Sequence, residues 1–218
     1  MTPIDRHEQR RLRTQQRLLD AAEQVFGQKG YQEASVLDIT EAADVSKRTF
    51  YLHFPDKEAL IEELAMRSFE ELRAQVEAHD KGLAAYNGQD ETPDMTMREN
   101  YHVAARIIFE YAQSKPDLMQ TIFGRGGSFR LQALSREFTA RAFAENFAHD
   151  HCVWQPDAPV PPVVLAHAIA GILHQLLCWW FQYPNDYSAD DMALMCTSVL
   201  YDSIEINFDK HLTEESKA

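Results

Sequence analysis

Two helix starts set close together, at Ser35 and Ser46, constrain this chain more than any other feature in it. Ser35-Val36-Leu37-Asp38 has the form of a capping box, with Asp in place of the commoner Glu, and it opens a short helix through Ile39 and Ala42-Ala43. Asp44-Val45-Ser46 then breaks that helix, because Asp tolerates left-handed backbone better than most residues and Ser46 can cap a new helix. That new helix is expected from Lys47 to about His53, and Pro55-Asp56 ends it and caps a fourth, longer helix from Lys57. Before the pair, Leu18, Ala21, Ala22, Val25 and Phe26 make the stripe of an amphipathic helix that stops at Lys29-Gly30. Two short helices joined by a three-residue turn, behind a supporting helix, define a helix-turn-helix.

The second helix of that motif carries the chemistry. Val45, Phe50 and Phe54 can pack inward, which leaves Lys47, Arg48, Thr49, Tyr51 and His53 facing outward. In this motif the N-terminal part of the second helix enters the major groove. Arg48 offers a planar fork to guanine, Lys47 a point charge, and Thr49 a methyl and a hydroxyl. Tyr51, His53 and Lys57 suit backbone phosphates, beside the first amides of the fourth helix. Ahead of the module, Arg6, Arg10, Arg11, Arg13 and Arg17 crowd together as a basic arm.

The formal charge of −13 taken alone argues against a nucleic-acid partner, and its distribution reverses that inference. Residues 1–57 hold nine Lys/Arg and nine Asp/Glu, so the whole acidic excess lies after them. A neutral module on an acidic body should not hold random DNA tightly; its binding should depend on well-placed contacts and fall steeply with salt.

From Leu18-Leu19-Asp20-Ala21-Ala22 through Ser35-Val36, Ile39, Val45-Ser46, Thr49-Phe50-Tyr51, His53-Phe54 and Lys57-Glu58-Ala59-Leu60, the sequence resembles the DNA-binding domain of the tetracycline-repressor (TetR) family. It departs from the family pattern at Asp44, where Gly is usual, and at Thr40, where Ala is usual. The resemblance implies an all-helical homodimer on a pseudo-palindromic double-stranded operator, usually a repressor released by a small ligand. Carried onto matching positions, it places DNA contacts on Ser35, Ser46, Lys47, Arg48, Thr49, Tyr51, His53 and Lys57. Arg10, Arg11 and Arg13 join them from the arm.

The remainder of the chain reads as an all-α body, 57–218, behind a three-helix DNA-binding domain, 1–56. The fourth helix is expected to end near His79, with 80–96 an exposed loop, and further helices at about 97–113, 116–123, 128–149, 162–183 and 188–209. Gly124-Arg125-Gly126-Gly127 lacks the Lys-Ser/Thr of a phosphate loop and reads as a flexible connector. Val163 to Tyr183 contains no Asp, Glu, Lys or Arg, but His167, His174, Gln175 and Gln182 inside it and acidic flanks argue against a membrane span. A helix apolar all round is buried on more than one side, and a second copy of the chain can cover one of them. Ala166, Ala170 and Gly171, with Met192, Cys196, Val199 and Ser203 on the final helix, are the expected dimer contact, where the resemblance also places it.

A small organic effector should bind within 97–183. His102, Arg106 and Phe109 share a face, and Phe123, Phe129, Phe138, Phe143, Trp179 and Trp180 add aromatic surface; the candidate contacts are His102, Arg106, Phe109, Phe123, His174 and Trp179. His174 and Cys178 at i, i+4, and the turn His149-Asp150-His151-Cys152, offer metal ligands, but no second cluster completes either, so no metal or other cofactor is expected. No nucleophile elbow, phosphate loop, dinucleotide fingerprint or zinc-protease pair is present, so an enzyme is not expected. The competing reading is an effector-independent DNA-binding activator or architectural regulator. Three cysteines and the lack of a signal-peptide pattern fit a reducing cytoplasm.

Overall fold

The computed structural model describes residues 6–86, 97–149, 160–183 and 185–200. Among these it is all helix: α1 Arg6–Lys29, α2 Val36–Ala42, α3 Lys47–His53, α4 Lys57–Tyr86, α5 Met97–Ser114, α6 Pro116–Phe123, α7 Phe129–His149, α8 Pro162–Gln182 and α9 Ala189–Leu200. The chain divides into two compact units, one ending at Ser68 and the other beginning at Phe69. That division falls inside α4, later than the boundary expected at Lys57, because a continuous helix offers no break in pattern at which to read one.

In the first unit, α1 begins at Arg6 rather than near Leu18, so the arginines expected in an arm stand on a helix. The stretch before Leu18 is rich in Arg and Gln, both good helix formers, and needs no apolar stripe to continue the turns. From Leu18 onward the helix packs its apolar face on α2, with Leu18, Leu19, Ala22 and Phe26 buried. Gly30, at φ +77°, turns the chain out of α1, a conformation that a side chain would strain. The expected capping box forms: Ser35 Oγ accepts from the Asp38 amide at 3.2 Å, and Asp38 Oδ2 accepts from the Ser35 amide at 2.9 Å. Lys29 Nζ adds a bond to Asp38 Oδ1 at 2.6 Å, and together with Ser35 it holds that carboxyl well below the usual carboxylate range.

Phe50 has no exposed surface; it meets Tyr51 edge-on and lies tilted against Phe54, and Ile39, Leu60 and Ile61 are buried in the same unit. Each such side chain contributes roughly 1.5–3 kcal/mol on burial, enough to hold two seven-residue helices that would not persist alone. Val45, expected to face inward, is half-buried.

In the second unit, α8 packs along α7 and against α6, while α5 packs along α9. α8 is long and apolar enough to cross a membrane by length and composition. One side of it, Ala166, Ile169, Ala170, Leu173, His174, Leu177 and Cys178, is buried within the unit, as for the core helix of a packed domain. α4 continues to Tyr86, past the expected end near His79 and through Gly82, and the rest of the expected loop lies outside the described residues. Gly124 to Gly127 is a tight turn rather than a flexible connector. An added Cβ at Gly127 would overlap the Ile122 carbonyl oxygen, and Gly126 sits at φ +76°. Arg125 Nε donates to Gln182 O at 2.9 Å, and Gln182 Nε2 donates to Phe123 O at 2.8 Å, so the end of α8 clamps the turn.

Candidate nucleic-acid interface and ligand cavity

Ser46 sets the start of α3. Its backbone is extended, and its Oγ accepts the Thr49 amide at 3.1 Å and lies 2.9 Å from the Thr49 hydroxyl. Asp44 makes the preceding turn at φ +51°, the left-handed region that glycine occupies most easily, so the departure at this position is accommodated by the Asp backbone itself. Arg17 of α1 reaches the same turn, donating to Ala43 O at 2.6 Å and lying 3.6 Å from an Asp44 carboxylate oxygen. It therefore serves as a strut for the turn.

With that frame fixed, α3 shows Lys47, Arg48 and Tyr51 to solvent, with Thr49 half-exposed. Ser35, Arg10, Arg11 and Arg13 are exposed as well. Arg6, Arg10, Arg13 and Arg17 follow at helical spacing along one side of α1, the side whose last member braces the α2–α3 turn. Leu52, 75% exposed on α3, has no polar feature to mark it in the sequence; an outward apolar side chain beside Arg48 and Thr49 has the chemistry to meet a thymine methyl.

Two expected phosphate contacts are placed differently. Lys57 Nζ donates to Tyr31 O at 2.6 Å and to Ala34 O at 2.7 Å, and stands 4.3 Å over the Tyr31 ring. It ties the start of α4 to the connection between α1 and α2, and burial lowers its pKa. His53 is half-buried and its Nδ1 has no hydrogen-bond partner among the described residues; burial first and Arg11 second lower its pKa, so it stands uncharged at neutral pH. One amide of the first turn of α4, the Ala59 N–H, is answered from within the chain by Asp56 Oδ1 at 2.7 Å.

The second unit holds a cavity of about 100 Å³ whose apolar wall includes Phe69, Met119, Phe123, Phe138, Leu173 and Leu177. Of the expected effector contacts, Phe123 and His174 line it. The other four do not. His102 Nδ1 lies 3.4 Å from the Thr197 hydroxyl between α5 and α9, exposed Arg106 pairs with Glu110, Phe109 is buried edge-on against Trp180, and Trp179 stacks on Tyr183 at the surface. Phe129, 77% exposed, is also away from it. α4 adds Phe69, Leu72, Arg73, Val76 and Glu77 to the wall, a contribution outside the expected 97–183 because the pattern of that helix marks it only as a connector.

The residues of the expected dimer contact divide between buried and accessible positions. Ala166, Ala170, Met192 and Cys196 are buried against neighbours in their own unit; burial pushes the Cys196 thiol up to about 12. Gly171 and Val199 are accessible, and Ser203 lies outside the described residues. The exposed apolar side chains of these two helices are Val163, Val164, Trp179, Leu194 and Val199. Among the described residues no group of three or more His, Cys, Asp or Glu stands together as metal ligands; Asp150, His151 and Cys152 lie outside them.

An exposed cationic pair at the start of a capped helix, held by a strutted turn on a buried core, defines a helix-turn-helix module. Residues 18–64 match the family model described as bacterial regulatory proteins, tetR family, so this module is similar to the DNA-binding part of those regulators. The HTH-type transcriptional repressor DhaR of Mycobacterium sp. (strain GP1) is 41% identical over 58 residues, 27% of this chain and 29% of that protein. Matches to the first curated relatives span between 15% and 53% of their lengths. Over most of the chain the fold resembles a TetR-family transcriptional regulator from Pectobacterium atrosepticum, with a TM-score of 0.59 and 22% identity, covering 90% of this chain and 93% of that one. It also resembles the transcriptional regulator FadR from Bacillus subtilis, solved in complex with stearoyl-CoA, with a TM-score of 0.57 and 16% identity, covering 85% and 96%.

Proposed function

We propose that the chain is a transcriptional regulator that reads a double-stranded operator through α3, acts as a homodimer in the cytoplasm, and releases the operator when a small organic effector enters the cavity of the second unit. The exposure of Lys47 and Arg48 at the start of α3 carries this reading. On it, Arg48 reads a base edge, Thr49 and Leu52 add apolar contact, and Tyr51 with Arg10, Arg11 and Arg13 engage phosphates. Ser35 and Ser46 act by capping, and Lys57 by holding the α1–α2 connection against α4.

One seven-residue reading helix makes too few contacts to select a genomic site, so two copies are required. The exposed Val164, Trp179, Leu194 and Val199 support a two-fold contact on α8 and α9; nothing within 4 Å meets a Cβ added at Gly171, which leaves room there for a crossing helix. The cavity supports an effector-controlled regulator over an effector-independent one. Its volume suits a much smaller molecule than the long acyl chain of the Bacillus subtilis complex. Selection of bound duplexes from a random pool tests the reading: enrichment of a two-fold-related site is expected, and no enrichment refutes it.

A further inference from the structure

His174 stands in the cavity wall, 6% exposed, and its surroundings decide which of its nitrogens carries the proton. Arg136 Nη1 lies 3.3 Å from Nε2, and Cys178 Sγ lies 3.4 Å from the same atom. A guanidinium has donors and no acceptor, so Nε2 must be the bare, accepting nitrogen. Burial, and then Arg136, push the imidazole down to about 4, so at neutral pH the ring is uncharged and its one proton is on Nδ1. That Nδ1–H is buried and has no hydrogen-bond partner among the described residues. A buried donor left unmet costs free energy that an acceptor arriving with a ligand recovers.

The rest of the wall limits what can bring that acceptor. It is mainly aliphatic and aromatic, and its one cation, Arg73, donates to Glu77 at 2.7 Å and to Glu145 at 3.1 Å. Arg73 is thus already held by two carboxylates, and among the described residues of the wall there is no second Lys or Arg to meet an anionic ligand. The cavity, about 100 Å³, is somewhat smaller than the roughly 150 Å³ apolar cavity known to admit benzene.

We propose that this cavity takes an uncharged molecule of about one ring, or a short chain, bearing a carbonyl-type oxygen that accepts the Nδ1–H of His174. This deepens the effector reading and rests on it only for the consequence at DNA. The test is made on the full chain without DNA, by calorimetric titration with acetophenone, with α-methylstyrene, in which CH₂ replaces the oxygen, and with benzoate. The hydrocarbon is expelled more strongly by water, so a wall without a donor would favour it. Acetophenone is expected to bind roughly tenfold more tightly than α-methylstyrene and than benzoate, and His174→Phe to abolish the preference over the hydrocarbon. Nitrogen-15 spectra of the unsubstituted protein supply a second readout: protonated Nδ1 and bare Nε2, with Nδ1 shifting on addition of the ketone. Equal binding of ketone and hydrocarbon, preference for benzoate, no binding of acetophenone, or a proton on Nε2 would overturn the proposal. Release of a selected duplex by acetophenone is scored separately. Ketone preference without release leaves the ligand assignment standing and sinks the effector reading.

Discussion

Arg17, on the first helix, donates to the carbonyl oxygen of Ala43 at 2.6 Å, so the residue that closes α2 is braced from a helix that precedes it in the chain. The bond is charge-assisted and only partly buried, and Arg17→Ala should lower stability by about 1 kcal/mol. It should also weaken DNA binding for all sequences alike, since it loosens the turn without removing a base contact. A urea midpoint indistinguishable from that of the unsubstituted protein would show that the brace contributes nothing.

Asp44, beside it, holds a left-handed backbone at φ +51°. Asp44→Gly relieves that cost and removes a negative charge near DNA, so both the thermal midpoint and the affinity for duplex should rise. Asp44→Val should lie below the glycine variant by roughly 1–2 kcal/mol, since a β-branched side chain resists this conformation most. Thermal unfolding that ranks valine level with glycine would contradict the turn geometry.

Tyr51 and Arg48 stand on the same exposed face of α3 with different tasks. Arg48→Ala should cost about 1–3 kcal/mol at the selected operator and flatten preference at one base position of each half-site. Tyr51→Phe should weaken binding with little change of preferred sequence, as for a lost phosphate contact. Binding titrations against single-base variants of the operator separate the two; a changed base preference for Tyr51→Phe would reassign it to base reading.

The acid side of the stability curve reports His174. Its folded-state value, about 4, lies below the ordinary 6.5, so the unfolded chain takes up this proton first as pH falls. The contribution is fully present above pH 6.5 and is lost progressively down to about pH 4, amounting to on the order of 3 kcal/mol across that window. His174→Phe should flatten this part of the curve relative to the unsubstituted protein. Parallel curves for the two proteins between pH 7 and about 4 would mean that the ring takes up its proton as readily when folded as when unfolded.

The first unit is legible in the sequence to a degree that the second is not, for a physical reason. Caps are local: Ser35 and Asp38, or Ser46 and Thr49, meet because of chain spacing alone, and they bond as expected. The left-handed turn at Asp44 is equally local. The bonds of Lys57 to the Tyr31 and Ala34 carbonyls are not legible in the sequence, because those partners belong to a connection distant in the chain. On α8 the apolar residues run all round the helix, so nothing in the pattern tells the inward side of Ala166 and Ala170 from the outward side of Val164 and Trp179. His102 shares a helical face with Phe109, yet it meets α9, which packing alone decides.

The central claim is that α3 reads sequence from two copies at once. Footprinting on a selected operator, combined with the sedimentation mass of the bound species, tests it most directly. The account predicts two protected half-sites about 34 Å apart, one dimer bound, and loss of both half-sites together when Trp179→Glu disrupts the α8–α9 face. A single protected half-site held by one chain with full affinity would contradict it.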